Sequence, residues 1–124
     1  MRIFRNKWFE RFARKEGIDN SALCEAVRRA EAGKIDCDYG GGVIKQRVAR
    51  PHEGKSGGYR TIILYRKSEK AFFVYGFAKS KTEDLNDEEV RVYKKAAKIT
   101  FERTDDDLAK LLKRGDYEEV KYHG

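Results

Sequence analysis

The stretch "GYRTIILYRKSEKAFFVYGFAK", residues 58–79, decides the fold. Two runs of β-branched and aromatic residues flank the polar link "KSEK" at 67–70, which is the pattern of a β-hairpin. Upstream, "GGGVIKQRVARP" at 40–51 has the same character and reaches the hairpin through "RPHEGKSGG", a loop that carries the chain's one proline. Three successive strands joined in this way read as an antiparallel meander. Alternation along the middle strand puts Tyr59, Thr61, Ile63 and Tyr65 on one face, and Arg60, Ile62, Leu64 and Arg66 on the other. Arg60 therefore lies in line with aliphatic side chains, where an unpaired guanidinium is costly. It needs either a carboxylate of the protein or an anionic ligand, and both options stay open at this level.

Helices flank the meander. After a short strand at 1–4, "NKWFERFARKEG" carries Trp8, Phe9, Phe12 and Ala13 as an apolar stripe and ends at Gly17. "DNSALCEAVRRAEAG" follows, with Asp19, Asn20 or Ser21 as cap, Leu23, Ala26, Val27 and Ala30 as the buried stripe, and Gly33 as terminator. Together they form a helical hairpin. Beyond the strands, Asn86 and Glu89 make a capping-box pattern for "LNDEEVRVYKKAAKITFE". Thr104 followed by three aspartates starts another helix that stops at Gly115. The tail "DYEEVKYHG" is either an edge strand or a frayed end. No repeat or linker divides the 124 residues, so the chain reads as one α+β domain, with 104–124 as a C-terminal extension.

Composition narrows the function. Forty per cent apolar residues, with seven Phe, seven Tyr and one Trp, supply a core despite 40% charged residues. The 28 Lys and Arg against 21 Asp and Glu leave a net charge of +7, which points to an anionic partner. Cys24 and Cys37 form no CxxC pair and lie far in sequence from His52 and His123, so a zinc site is not expected. The start "MRIFRNKWF" is too polar and charged to be the apolar region of a signal peptide, so none is expected, and no run is long enough for a membrane span. Two free thiols in a reducing cytoplasm are the expectation.

Basic residues crowd the middle of the chain: Lys45, Arg47, Arg50, Lys55, Arg60, Arg66, Lys79 and Lys81, interleaved with Tyr59, Tyr65 and Tyr75. Guanidinium forks and ammonium groups bind phosphates, and aromatic rings stack unpaired RNA bases. Signatures of serine hydrolases, zinc proteases and Walker-type nucleotide binding are absent from the sequence. RNA, however, brings its own nucleophile. Its 2′-hydroxyl attacks the adjacent phosphate when a base takes its proton, cations hold the oxyanion, and an acid protonates the leaving 5′-oxygen. A lysine whose pKa is depressed by neighbouring cations can be that base.

The segments "GKSGGYRTIILYRK" and "AFFVYGFAKSKTEDLNDEEVRVYKKAAK" resemble the RelE/HigB-like toxins of bacterial type II toxin–antitoxin modules. The likeness follows element order over 1–101 and is most specific over 54–98. It implies a small curved antiparallel sheet with flanking helices, and a basic cytoplasmic toxin that enters the ribosomal A site and cleaves translated mRNA without metal or cofactor. It also implies a cognate antitoxin and a monomeric toxin. By motif, Arg60 corresponds to the strand arginine that holds the scissile phosphate, Lys55 to the loop cation and Lys79 to the strand-end lysine. Tyr93, or Lys94 beside it, corresponds to the late group on the helix. Lys45, Arg47, Arg50, Tyr59, Lys81 and Lys94 complete the RNA-binding set. The alternatives are a gyrase poison of ParE type on the same fold, and a catalytically silent RNA- or antitoxin-binding relative.

Overall fold

A computed structural model describes residues 1–49, 58–78 and 84–121. Strand β1 (Arg2–Asn6) leads into helix α1 (Lys7–Glu16), and α2 (Asn20–Glu31) follows. Then come β2 (Cys37–Gly40), β3 (Val43–Ala49), β4 (Gly58–Arg66) and β5 (Lys70–Ala78). Helices α3 (Asp87–Glu102) and α4 (Asp105–Arg114) and strand β6 (Tyr117–Val120) complete the order. The sheet runs β2-β3-β4-β5-β1-β6. The meander is antiparallel, as alternation and turn spacing require, but β1 runs parallel to β5. The sheet is therefore mixed, because α1 and α2 carry the chain back across one face before β2 begins. Strand β2 is an addition to the expected elements: four residues ending in glycine give almost no periodic signal. The tail resolves as the edge strand β6, paired antiparallel to β1, with Arg2–Glu119 and Arg5–Glu118 ion pairs across the seam.

Helix ends follow their capping residues. The Asn6 side chain accepts from the Phe9 amide, Asp19 from Ala22 and Thr104 from Asp107, while Asn86 and Glu89 close a capping box. Helices α1 and α2 cover one face of the sheet, where Phe9, Leu23, Val27, Ile44, Val48, Tyr59, Ile63 and Phe73 are buried. Helices α3 and α4 cover the other, over Phe4, Val43, Ile62, Leu64 and Phe72 with Ala97 and Leu108. Phe72 stacks on Phe4 at 4.8 Å and meets the edges of Phe101 and Tyr117.

Strand β5 carries one irregularity. Ile62 pairs with Tyr75 but Ile63 pairs with Phe73, so Val74 is an extra residue on β5. A bulge of this kind inverts the alternation beyond it. Phe73 points to the α1–α2 side before the bulge, whereas Val74 and Tyr75 join the α3–α4 side. Gly76 then faces α1, so closely that a Cβ there would stand 2.6 Å from the Phe12 ring. Phe12 cannot retreat easily, because it stacks on Trp8 at 5.3 Å and meets Tyr59 edge-on at 5.5 Å. Gly76→Ala is expected to lower stability by about 1–3 kcal/mol through overpacking. A denaturant midpoint that falls at unchanged slope is the check; an unchanged midpoint would show that α1 gives way without cost.

Candidate active site

The face under α3 and α4 divides into cross-strand rows. Val43, Leu64 and Phe72 form the row under Ala97 and Phe101, and Lys45, Ile62 and Tyr75 form the next. Arg47, Arg60 and Phe77 form the last, and none of these three belongs to either core. Arg47 and Arg60 are direct partners, so their side chains leave the same face about 5 Å apart at Cβ. Two like charges so placed repel. The Arg60 Nη1 and the Arg47 Nε are, moreover, buried and without a hydrogen-bond partner among the described residues. Unpaired buried N–H groups of charged side chains cost free energy that contact with water would offset. One anion on the row relieves both penalties. For the choice that sequence left open, Arg60 Nη1 meets no carboxylate among the described residues.

Gly58 gives Arg47 its room. A Cβ there would lie 3.4 Å from the Arg47 Nε and 2.8 Å from the Val48 carbonyl oxygen. The backbone of Arg47 is fixed separately: its amide donates to Asp36 Oδ2 at 2.6 Å and its carbonyl accepts from the Arg29 guanidinium.

Lys45, one row away, is engaged by the protein itself. Its Nζ lies 3.1 Å from Asp84 Oδ1, and the Tyr39 hydroxyl donates to that same carboxylate. The hydrogen bond from Tyr39 is the largest of the effects holding the Asp84 carboxyl below its ordinary 3.8, with the Leu85 amide and Lys45 adding to it. Burial, and then the bond to Asp84, push the Tyr39 phenol well up. The fold thus prefers ionised Asp84. Its contribution is fully present above pH 3.8 and is lost as pH falls through the lower folded value. Asp84→Asn is expected to flatten the acid limb of the stability curve below about pH 4, read as thermal midpoint against pH. An acid limb as steep as wild type would assign the acid sensitivity to other carboxylates.

Other expected residues fall elsewhere. Tyr59, expected on the RNA surface, is 1% exposed under α1, with Phe12 against its ring. It faces away from Arg60 because adjacent strand residues point oppositely, so its place is the core. Tyr65 is buried too, its hydroxyl on Glu31. Arg66 lies over the Phe101 ring at the opposite end of β4. Lys94 extends over the β2–β3 turn, against Gly41, at the end of β3 remote from Arg47. Tyr93 is half-buried on α3 at the border of the second core, and burial, then Tyr75 and Glu89, raise its phenol above the ordinary value. Arg50, Lys55, Lys79 and Lys81 lie outside the described residues. Asp84 and Phe77 join the site from the structure alone. The isolated glycine at 76 within a strand is the one sequence sign of a bulge or close approach nearby.

Among the described residues no helix is long and apolar enough to cross a membrane, and no group of three or more His, Cys, Asp or Glu is placed to hold a metal ion. No curated protein matches the chain significantly. A family model described as "RelE toxin of RelE / RelB toxin-antitoxin system" matches residues 1–120, which takes in every strand and helix from β1 to β6. With the expected α+β architecture in place, the match is decisive at the level of family: this chain belongs to the RelE toxins of toxin–antitoxin systems.

Proposed function

We propose that this toxin is a ribosome-dependent endoribonuclease that cleaves translated mRNA, with Arg60 and Arg47 gripping the scissile phosphate. The observation that carries the reading is the pair of opposed guanidinium groups with buried, unbonded N–H groups. Attack of the 2′-oxygen on phosphorus forms a bond as the P–O5′ bond breaks, leaving a 2′,3′-cyclic phosphate and a free 5′-hydroxyl. Negative charge grows on the non-bridging oxygens in between, and guanidinium donors already in position stabilise it. The nucleophile's proton goes to a base, for which Lys55 and Lys79 are the candidates. Tyr93, with its phenol held protonated by burial, suits donation to the departing 5′-oxygen rather than proton removal. Family membership implies an antitoxin partner, encoded beside the toxin in this reading.

The test is induced synthesis of wild type and Arg60→Leu, followed by mapping of cellular mRNA ends. Growth arrest with new in-frame ends, both absent in the variant, is the expected result. Arrest with DNA damage and intact mRNA would instead establish the gyrase-poison reading.

A further inference from the structure

The bulge at Val74 turns Tyr75 and Phe77 toward the arginine face, and together with α1 they build an aromatic path away from it. Phe77 is the direct cross-strand partner of Arg60. Tyr75 lies 6.2 Å from Phe77, and Trp8 of α1 lies 4.6 Å from Tyr75. Trp8 is 42% exposed, although it is the largest apolar side chain in the protein. Because β1 ends at Asn6 while β5 continues to Ala78, a cleft of about 360 Å³ opens between α1 and this end of β5. Trp8, Phe12, Lys15, Glu16, Tyr75 and Phe77 line it. A second hollow of about 260 Å³ continues along α1 between Trp8, Phe12, Arg11 and Lys15.

The order along this path is cation, aromatic, cation. Arg47 and Arg60 stand at one end, the rings of Phe77, Tyr75 and Trp8 in the middle, and Lys15 and Arg11 beyond. A single-stranded nucleic acid presents the complementary order, phosphate, base, phosphate, and proteins that hold such strands pair aromatic faces with flanking positive charge. We infer that the Trp8–Tyr75–Phe77 cleft is a base-stacking subsite for the nucleotide next to the scissile phosphate, with Arg11 and Lys15 contacting the phosphate beyond it. The inference rests on the nuclease reading for the identity of the strand. The subsite is indifferent to base identity, because every base offers a π-face and the cleft walls are rings rather than amides.

The chain contains one tryptophan, so its emission reports Trp8 alone. The purified protein is titrated with an end-labelled 2′-O-methyl oligoribonucleotide, which lacks the nucleophile, while label anisotropy follows binding and tryptophan emission follows stacking. Emission is expected to fall in step with binding. Inorganic polyphosphate is expected to bind without quenching. Trp8→Ala is expected to weaken oligonucleotide binding about tenfold, with Trp8→Phe restoring most of it. The slope of log affinity against log salt should stay at its wild-type value in Trp8→Ala, since no phosphate contact is lost. Binding without quenching, wild-type affinity in Trp8→Ala, or no binding at all would each overturn the subsite. So would quenching by a peptide of the antitoxin but not by RNA, which would make the cleft a protein-docking surface. Cleavage judged from mRNA ends is read separately: cleavage without quenching removes only the subsite, and quenching without cleavage removes only the nuclease reading.

Discussion

Arg60→Leu is expected to slow cleavage of ribosome-bound mRNA by at least about a hundredfold, the usual loss when one donor to a developing oxyanion is removed. The same substitution is expected to leave the protein at least as stable as wild type. The two effects have one cause. In the free protein Arg60 faces Arg47 directly across β3 and β4, and its Nη1 is buried without a partner among the described residues. Leucine removes the repulsion and the stranded N–H while keeping apolar contact with its neighbours, so a gain of about 1 kcal/mol, a few degrees in thermal midpoint, is the expectation. Arg60→Lys keeps the charge but not the planar fork, and should recover little of the cleavage rate.

The split separates a ligand-binding arginine from a structural one. An arginine holding strands together would lower stability and activity together when replaced, and that joint loss would sink the assignment. Inorganic phosphate gives an independent reading. Any anion that binds only the folded state raises the midpoint by mass action. Phosphate should therefore raise the wild-type midpoint more than that of Arg60→Leu, in which half of the receptor is gone.

How much of the molecule is legible in its sequence differs by level. The meander, both flanking helix pairs and their caps follow from local chemistry: periodicity, Asn86 with Glu89, and Thr104 with its aspartates each act within a few residues. The parity argument for Arg60 also survives, because β4 is regular on its β3 side from Val43 to Ala49. Beyond that range, sequence periodicity fails for identifiable reasons. The parallel seating of β1 on β5 is a tertiary choice made by the α1–α2 crossover, with no signature in either strand. The bulge at Val74 moves Tyr75 and Phe77 to the arginine face, and "AFFVYGF" reads alike on both faces. Tyr59 belongs to the RNA-binding set only by its neighbours in sequence, since alternation already sets it opposite Arg60. Lys45 reads as an available cation, but Asp84, a distant residue on the approach to α3, meets it.

Gln46→Leu is expected to cost about 2–4 kcal/mol, although leucine fits the volume and is the more hydrophobic residue. Gln46 is fully buried on the α1–α2 side of β3, in line with Ile44 and Val48. Its Nε2 donates to the carbonyl oxygens of Ala26 at 3.0 Å and Lys34 at 2.9 Å, and its Oε1 accepts from the Asp36 amide at 3.0 Å. One side chain thus ties the middle of α2 and the segment leading to β2 onto the sheet. Leucine would strand the Lys34 carbonyl and the Asp36 amide, each worth about 1–3 kcal/mol when left buried and unmet, with partial relief where water reaches the segment, whereas the Ala26 carbonyl keeps its bond within α2. The midpoint should fall by roughly 10 °C for a domain of this size. Gln46→Glu should be worse at neutral pH, since a carboxylate would face two carbonyl oxygens, and should recover in part on acidification as the protonated acid regains one donor. The loss also reaches the arginine row, because Asp36, held by Gln46, accepts from the Arg47 amide. Faster amide exchange at Asp36 and Arg47 in Gln46→Leu would locate the damage there. Wild-type stability in Gln46→Leu would show that water serves the segment as well as the glutamine does, leaving Arg47 to be positioned by β3 alone.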